Sequence, residues 1–412
     1  MRIAILTNAY PPRVSGGAAR IASLYSELLV AQGHEVRVWK AVEIFDRLER
    51  THPFRRLFFH LRDLGSRTET VEEMLAWKPD VLFTHTLTGC GYATPKRVQS
   101  TGTRWVHMLH DVQLIEPSGQ ILFGEGLSFL RIPWRWFWSS ARKMAMGNPD
   151  AVMSPTEWLL DFHRKWGWFT GVEKRVIPNP IAQGATTLPA LPPSLGGRVL
   201  PGSLDQGACH APLRDPRYFD TTQNPLLAKE GAGGGGTRGE GPWSRGRSVV
   251  FVGRLDPDKG VNILLEAWSR LADPSARLFF IGRGSLVDLV KSLSAQGIEY
   301  LGEQPSSVVE ATMRASRVVV VPSLVMENQP TVILEGLSAR CRVVASDVGG
   351  SRETLGGAGT IVPPGNVDAL ASALRVALDD RESHEQEIEV VLAQHDPLTC
   401  AQRLLEVLKS NL

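Results

Sequence analysis

The sequence predicts an α/β protein of two domains, each built on a parallel β-sheet. Short, apolar, β-branched runs recur in both halves, and each is followed by a turn and a helical pattern. The clearest case is the run of valines at 318–321, which precedes a turn, a helix and a second strand at 342–346. Such runs are typical of strands that are buried on both faces of a parallel sheet. The chain has 412 residues, which is too long for one ordinary core and enough for two.

Composition and charge restrict the class of protein. Hydrophobic residues make up 43% and charged residues 21% of the chain, as in soluble globular proteins. The net charge of +2 does not favour nucleic acid or another strongly acidic partner. The four cysteines are scattered without a metal-ligand spacing, so we expect reduced thiols. No apolar run is long enough for a membrane span, and the first residues turn polar too soon for a signal peptide. We therefore expect a cytoplasmic protein.

The N-terminal half begins with a strand at 2–6 and a loop that holds Gly16 and Gly17. A helix follows and ends near Gly33. A glycine pair between strand and helix lets the backbone approach a ligand and directs N–H groups at it, although a tight turn explains the pair equally simply. No GxGxxG pattern follows the opening strand of either half, so a dehydrogenase is disfavoured. Further strands are predicted at 36–39, 81–84, 105–109 and 151–154.

Two histidines follow strands of this half. His85 comes after the strand at 81–84, and His110, with Asp111 beside it, follows the strand at 105–109. Ligands bind at the carboxyl ends of parallel strands, so both histidines are candidates for contact. A histidine at such a place can also be an internal hydrogen-bonding residue.

Residues 129–144 combine aromatic rings with cations. The rings are Trp134, Trp136, Phe137 and Trp138, and the cations are Arg131, Arg135, Arg142 and Lys143. Such a mixture suits a membrane interface, a cover over the core, or an acceptor site. Peripheral contact with the inner face of a membrane is therefore one of three open interpretations. Residues 182–247 are rich in glycine and proline and have no sustained period, which predicts a disordered linker or insertion.

The C-terminal half resumes with predicted strands at 249–252, 278–284 with its glycine-rich exit, and 298–302. Arg254 and Lys259 after the first of these suit a diphosphate, since the guanidinium fork binds two oxygens and the ammonium adds a point charge. Glu327 and Glu335 fall near the helix that follows residues 318–321, where carboxylates suit sugar hydroxyls. Solvated surface charges are the alternative in both cases.

The motif ENQPTVILEG, preceded by VPS and followed by ASDVGGSRE, resembles the donor-binding signature of glycosyltransferase family 4. GRLDPDKG resembles the cation pair of the same family, and His110-Asp111 its His-Asp pair. The resemblance covers residues 1–181 and 248–375 and is strongest over 249–350. It implies the GT-B architecture, in which two Rossmann-like, doubly wound parallel-sheet domains face a central cleft.

In this frame the resemblance assigns the domains. Residues 1–181 form the N-terminal, acceptor-side domain, and residues 248–385 form the domain that binds the nucleotide-sugar donor. A helical segment at 386–412 braces the N-terminal domain. The family's enzymes are retaining and hexosyltransferase-like, and they act in the synthesis of cell-surface polysaccharides and glycolipids.

The resemblance also assigns roles. Arg254 and Lys259 stabilise the leaving diphosphate, Glu335 binds the ribose, Glu327 holds the donor sugar, and His110 contacts that sugar near the reacting carbon. We take Glu327, His110, Arg254 and Lys259 as the catalytic candidates. The further donor-binding candidates are Gly16, Gly17, Gly282, Asn328, Gln329, Pro330, Thr331 and Glu335. No metal or other cofactor is implied.

Several points stay open at this level. The donor is a nucleotide sugar, UDP- or GDP-linked, and the acceptor is a sugar or a lipid-linked molecule that the sequence does not specify. The oligomeric state is also unspecified. A sugar-nucleotide epimerase of the same fold and a non-catalytic nucleotide-sugar-binding protein are the alternatives. The presence of Glu327, Glu335, Arg254, Lys259 and His110 favours an active enzyme.

Overall fold

The computed structural model describes residues 1–8, 10–11, 17–41, 53–124, 132–181 and 246–410. Gly16, residues 129–131 of the aromatic stretch and residues 182–245 of the expected linker lie outside these ranges. The expectations that concern them therefore stay predictions.

In the described residues, the N-terminal half forms a six-stranded parallel sheet in the order β2-β1-β3-β4-β5-β6. Its strands are β1 (Arg2–Thr7), β2 (Glu35–Lys40), β3 (Val81–Thr84), β4 (Arg104–Met108), β5 (Ala151–Ser154) and β6 (Glu173–Val176). Its helices are α1 (Gly17–Ala31), α2 (Pro53–Asp63), α3 (Thr68–Trp77), α4 (Thr94–Gln99), α5 (Ile132–Met146) and α6 (Glu157–Lys165). The strand order reverses between β1 and β3, which is where such sheets open a ligand-binding crevice.

The described part of the C-terminal half repeats this plan in the order β12-β11-β10-β7-β8-β9. Its strands are β7 (Ser248–Val252), β8 (Arg277–Ile281), β9 (Ile298–Gly302), β10 (Val318–Val321), β11 (Arg342–Ser346) and β12 (Thr360–Val362). Its helices are α7 (Val261–Leu271), α8 (Val287–Ser292), α9 (Ser306–Ala315), α10 (Thr331–Ser338), α11 (Ser351–Leu355), α12 (Val367–Asp379), α13 (Glu385–Gln394) and α14 (Pro397–Lys409). Here the order reverses between β7 and β10, so the loops after these strands share one crevice.

Burial on both faces explains why the sequence predicts these strands. Along β10, Val318 and Val320 join one core cluster, whereas Val319 and Val321 join another on the opposite face. Because both faces are covered, the strand has no polar side, and its sequence is a continuous apolar run. The strands predicted at 81–84, 151–154, 298–302, 318–321 and 342–346 therefore have the bounds that the sequence indicated.

Strand β6 was not predicted. Its sequence, EKRV, is mostly charged, and its side chains are half-buried or exposed. It lies at the edge of the sheet, where only β5 pairs with it. An edge strand needs backbone pairing and no apolar run, so hydrophobic patterning does not reveal it.

The last two helices divide between the domains. Ile388, Val391 and Leu392 of α13 belong to the core that includes α10 and β11 of the C-terminal half. Leu404 and Leu408 of α14 belong instead to the core beneath β1 of the N-terminal half. The chain therefore crosses back after residue 394, and the bracing segment is α14 rather than the whole of 386–412. No helix in the described residues combines the length and apolarity needed to cross a membrane.

Candidate active site

The loops after β7 and β10 meet in the crevice of the C-terminal sheet. Lys259 ends a short 3₁₀ turn after β7, and Glu327 lies on the loop between β10 and α10. Lys259 Nζ is 2.9 Å from Glu327 Oε1. The Leu324 N–H also donates to the carbonyl of Asp258 at 2.9 Å, which ties the two loops together through the backbone. The fold thus joins two candidate residues that are 68 positions apart in the sequence.

Arg254 is held by the two acids that follow it. Its guanidinium donates to Asp256 at 2.7 Å and to Asp258, so the carboxylates occupy the fork that would bind a diphosphate. Asp256 in turn accepts from the N–H and the hydroxyl of Ser285, both at 2.8 Å. Burial raises the pKa of Asp256, but the bonds from Ser285 and the charge of Arg254 outweigh that effect and lower it. Arg254 keeps a side-chain exposure of 47% and remains reachable from the crevice.

Two glycines allow these loops to approach one another. Gly282, after β8, has φ +134°, and a Cβ there would lie 1.9 Å from the carbonyl oxygen of Gly253. Gly349, after β11, has φ +57°, and a Cβ there would lie 2.0 Å from the carbonyl oxygen of Glu327. Both conformations strain any other residue. Gly282 therefore allows the turn after β8 to lie against the backbone of Gly253. Gly349 allows the turn after β11 to lie against the backbone of Glu327.

Glu335 lies on α10 and faces the N-terminal half. Its Oε1 is 3.5 Å from Arg20 on α1, a residue that sequence analysis did not select. Burial raises the pKa of Glu335, and the charge of Arg20 opposes this shift. Arg20 follows the glycine pair by one helical turn. This position is the feature of the sequence that could have indicated Arg20 as a site residue. Gly17 itself begins α1, and a Cβ there would meet nothing within 4 Å, so the backbone does not require glycine.

The start of α10 connects the domains. Pro330 is its N-cap and supplies no side-chain hydrogen bond, and Thr331 is its first helical residue. Asn328 donates to the carbonyl of His110 at 3.2 Å and accepts from the hydroxyl of Thr156 at 2.7 Å. Its neighbour Gln329 accepts from the N–H of Asn179, also in the N-terminal half, at 2.9 Å. The amide side chains predicted to shape the donor loop therefore fasten that loop across the cleft.

The same loop pairs with the N-terminal half through backbone bonds. The Met326 N–H donates to Ile121 at 2.9 Å, and the Phe123 N–H donates to Leu324 at 2.7 Å. Glu353 accepts the N–H groups of Glu157 and Trp158 at 2.7 Å each. A carboxylate at these groups satisfies the open start of α6. Hydrogen bonds thus join the two halves of the chain beside the crevice.

His110 faces this loop from the end of β4. Its Nε2 is 2.7 Å from Nδ1 of His85, and the two rings are stacked with centroids 5.0 Å apart. Burial lowers the pKa of His110 to about 4 and that of His85 well below its usual value. Burial also raises the pKa of Asp111 to about 6, against the opposing bond from the Gln113 N–H. A pKa in this range leaves the imidazole of His110 neutral at neutral pH.

The aromatic stretch separates its buried cations from its exposed apolar side chains. Arg135 is buried and donates to Glu116 at 2.8 Å, and Arg142 is buried against the rings of Tyr92 and Trp138. Its exposed large side chains are apolar: Ile132, Trp134, Trp136, Phe137 and Met144. The two arginines and Trp138 pack inside, whereas Trp134, Trp136 and Phe137 are on the surface.

Comparison with known protein families shows which family the chain belongs to. A model described as "Glycosyltransferase Family 4" matches residues 15–182, and one described as "Glycosyl transferases group 1" matches residues 246–380. The chain belongs to the family 4, group 1 glycosyltransferases. The resemblance drawn from ENQPTVILEG and GRLDPDKG is thereby confirmed. The two matches leave out the stretch that was interpreted as a linker.

Curated relatives of this glycosyltransferase match over part of their length. A phosphatidyl-myo-inositol mannosyltransferase of Mycolicibacterium smegmatis is 34% identical over 142 residues, or 33% of this chain and 37% of the relative. A putative teichuronic acid biosynthesis glycosyltransferase, TuaC, of Bacillus subtilis is 34% identical over 34% of each chain. The sulfoquinovosyl transferase SQD2 of Arabidopsis thaliana is 31% identical over 33% of this chain and 28% of the relative. The chain thus spans about a third of the length of these relatives.

Solved structures extend the likeness to the whole fold. Anabaena Alr3699/HepE in complex with UDP superposes with a TM-score of 0.64, 16% identity and full coverage of both chains. A sucrose-phosphate synthase of Thermosynechococcus elongatus gives a TM-score of 0.64, 18% identity and 98% coverage of both. Together with the two parallel sheets, these likenesses confirm the predicted GT-B architecture.

Proposed function

We propose that this glycosyltransferase moves a sugar from a nucleotide-sugar donor to an acceptor hydroxyl with retention of anomeric configuration. The observation that carries the proposal is the ion pair of Lys259 and Glu327 at the switch point of the C-terminal sheet. Across the cleft, the backbone of His110 is bonded to Asn328, the residue after Glu327. A cation for phosphate and a carboxylate for sugar hydroxyls therefore meet in this crevice, and the loop that carries Glu327 is bonded to the backbone of His110. That set matches the parts of a nucleotide sugar.

The diphosphate would bind Arg254 and Lys259. Negative charge grows on the diphosphate as the sugar leaves, and fixed cations stabilise that charge in the transition state. Both cations already have carboxylate partners, so the donor would take over bonds that Asp256, Asp258 and Glu327 now hold. Exchange of one anion for another keeps the cations neutralised throughout. The free backbone N–H groups at the start of α10 would add donors for phosphate oxygens.

The rest of the donor would lie along the same crevice. Glu335 is half-buried on α10 and would accept the ribose hydroxyls. Glu327, once released by Lys259, would accept from the hydroxyls of the donor sugar. His110 would contact that sugar near the reacting carbon. Gly16 and Gly17 would lie close to the phosphates from the N-terminal side, which is the part of the proposal that depends most on family resemblance.

The acceptor would enter from the N-terminal side, and a lipid-linked or polysaccharide acceptor is favoured. The relatives include enzymes named for phosphatidyl-myo-inositol, for sulfoquinovosyl transfer and for teichuronic acid biosynthesis. UDP is bound in the solved HepE structure, and UDP or GDP is the nucleotide that we expect here. A role in cell-surface polysaccharide or glycolipid synthesis follows from this combination.

We also propose that the protein contacts an anionic membrane through an aromatic surface, defined here by α2 and α5. Phe54, Phe58 and Leu61 of α2 are exposed, as are Trp134 and Trp136 of α5. The helices are neighbours, because the ring centroids of His60 and Trp138 are 5.6 Å apart. Aromatic rings of this kind insert at the headgroup level of a bilayer.

Charge complementarity selects an anionic membrane as the occupant. Arg55 and Arg62 of α2 are exposed beside the rings. Lysine and arginine outnumber aspartate and glutamate over residues 1–181, whereas the opposite holds from 182 to 412. The positive half of the chain therefore carries the aromatic surface, and juxtamembrane cations each add attraction to anionic lipid.

Vesicle co-sedimentation tests the membrane contact. The wild type should bind vesicles of phosphatidylcholine with phosphatidylglycerol, bind pure phosphatidylcholine weakly, and lose binding in high salt. The double variant Phe58→Ser, Trp136→Ser should bind at least about tenfold more weakly, since two rings leave the interface. Val390→Ser is the matched control, because Val390 is 61% exposed on α13, away from this surface. Equal binding by the double variant would refute the assignment.

A thermal-shift screen followed by a transfer assay tests the catalytic proposal. Ligands that bind only the folded protein raise its melting temperature, so UDP, GDP and ADP are screened first and then the sugar-linked forms of the one that binds. The shift should be lost in Glu335→Ala. Transfer to a lipid or oligosaccharide acceptor is then followed by NMR of the product, whose anomeric configuration should match that of the donor. Interconversion of the donor sugar without transfer would identify an epimerase, and binding without either reaction a non-catalytic protein.

A further inference from the structure

His85 and His110 form a pair that the donor proposal uses only in part. His85 is fully buried after β3, and His110 is half-buried after β4, the neighbouring strand. Their facing atoms, Nδ1 of His85 and Nε2 of His110, are 2.7 Å apart, and the rings lie at 25° to each other. This distance requires one proton between the two nitrogens. Either His85 donates through Nδ1 or His110 donates through Nε2.

Burial decides between these two arrangements. Nε2 of His85 is buried and has no hydrogen-bond partner among the residues that the structure describes. If His110 were the donor, His85 would accept through Nδ1, and its own proton would lie on that buried Nε2 without an acceptor. A buried, unpaired N–H costs about 1–3 kcal/mol and is rare in native proteins. If His85 donates through Nδ1, its Nε2 carries only a lone pair, which is the less costly state.

The groups that face the pair keep both rings neutral. Burial lowers the pKa of His85 most, and the nearby His110 and His107 lower it further. His107 is itself a buried imidazole with its pKa lowered to about 3. The carboxyl of Asp111, the residue after His110, accepts from the backbone N–H of Gln113 at 2.7 Å. With one proton on each ring, the direction of the shared bond fixes the tautomer of both.

The direction of the shared hydrogen bond decides which ring nitrogen of His110 carries its proton. When its Nε2 accepts from His85, the proton of His110 must lie on Nδ1. Among the described residues that atom forms no hydrogen bond, and it is not fully buried. We propose that His85 is a positioning residue that holds His110 in the Nδ1–H tautomer, so that His110 donates a hydrogen bond to an oxygen of the sugar bound in the cleft.

This assignment rests on the proposed function for its ligand but not for its tautomer. A donating Nδ1–H would distinguish sugars that place an oxygen at that point from those that do not. A site built to hydrogen-bond one group rejects an analogue that lacks it far more strongly than an apolar pocket does. His85 would thus act on the choice of donor sugar through His110, without touching the sugar.

NMR on the full chain labelled with ¹⁵N-histidine tests the tautomer without any donor. Long-range ¹H–¹⁵N correlations distinguish a protonated Nδ1 from a protonated Nε2, and the signals of His110 are assigned by their loss in His110→Gln. The wild type should show His110 with Nδ1 protonated. In His85→Phe, which keeps a planar ring but removes the donor, His110 should change to the Nε2–H form that free imidazole side chains prefer in water. A wild-type His110 with protonated Nε2, or an unchanged tautomer in His85→Phe, would overturn the proposal.

A conservative variant separates positioning from packing. In His85→Asn the amide nitrogen stands near the place of Nδ1 and donates in the same direction, so the Nδ1–H tautomer of His110 should be kept. The kinetics are measured with the donor found in the nucleotide screen. The kcat of His85→Asn should exceed that of His85→Phe by about tenfold at similar donor KM, because one hydrogen bond between uncharged groups is worth about that factor. Equal kcat values for the two variants would refute the positioning role. An inactive wild type with the expected tautomer would count against the proposed function alone.

Discussion

Lys259 Nζ lies 2.9 Å from Glu327 Oε1, so the residue proposed for the diphosphate is paired with the residue proposed for the sugar. The side chains keep 23% and 22% of their exposure, and an ion pair that reaches solvent contributes little net stability. A diphosphate, which carries more charge than a carboxylate, can therefore displace Glu327 from Lys259. Release of Glu327 at that moment would make its oxygens available to the sugar hydroxyls.

Substitution of either donor-site cation should reduce turnover. Lys259→Ala and Arg254→Ala should each lower kcat by about 10²-fold, because a fixed charge at the leaving group stabilises the transition state by roughly that factor. Steady-state kinetics with the donor identified by thermal shift would measure it. Lys291→Ala is the matched control, since Lys291 is an exposed lysine beside Tyr300 in the same domain and outside the crevice. Full activity in both site variants would remove these residues from the diphosphate site.

Glu335 should make nucleotide binding depend on pH. Burial raises the pKa of Glu335, so on acidification it takes up a proton sooner than an ordinary glutamate and then loses an acceptor for the ribose. Nucleotide affinity should fall as the pH is lowered. In Arg20→Met the opposing charge is lost, so the pKa should rise further and the fall should begin at a higher pH. Calorimetric titration between pH 7 and pH 5 measures the profiles, and superimposable profiles would contradict the ribose assignment of Glu335.

Glu353 should stabilise the contact between the domains. Its carboxylate accepts two N–H groups at the start of α6, and loss of such a cap costs about 1–2 kcal/mol. Glu353→Ala should lower the free energy of unfolding by that amount in urea denaturation. Glu69→Ala, in the first turn of α3, replaces an exposed acid of similar position and should have a smaller effect. An equal loss in both variants would show that the interdomain bonds contribute nothing of their own.

The last helix should be necessary for the N-terminal core. Leu404 is completely buried beneath β1, so Leu404→Ala should cost about 2–5 kcal/mol in the free energy of unfolding. Leu398 is on the same helix but 59% exposed, and Leu398→Ala should cost less than about 0.5 kcal/mol. Chemical denaturation of the two variants gives the comparison. A small cost at Leu404 would mean that α14 is not part of the N-terminal core in solution.

Acid should destabilise the protein through its buried histidines. Burial lowers the pKa of His163 to about 4, whereas the unfolded chain protonates near its ordinary value. As the pH falls through that value the unfolded state takes up a proton first, so stability is lost, by about 2 kcal/mol at pH 5 from this residue. Asp111 acts in the opposite sense, because burial raises its pKa to about 6. His163→Phe should therefore show a smaller drop in melting temperature between pH 7 and pH 5 than the wild type, and an equal drop would contradict this account.

Much of the candidate site could be predicted from the sequence, because its residues lie in short motifs. Arg254 and Lys259 lie in one short motif, and Glu327 and Glu335 lie in another, so local spacing was enough to select them. Arg20 was missed because its partner, Glu335, is 315 positions away. The pairing of His85 with His110 was likewise hidden, since nothing in either strand's sequence states that β3 and β4 are neighbours.

The sequence by itself determined the family, the two-domain α/β plan and the bounds of five of the strands. It could do so because buried parallel strands must be continuously apolar and because ENQPTVILEG and GRLDPDKG are local patterns. Only the tertiary structure decided which groups face one another: Lys259 with Glu327, Arg135 with Glu116, and α14 with the opposite domain. These pairings depend on burial and on hydrogen-bond satisfaction between distant segments. Such quantities do not exist until the chain has folded.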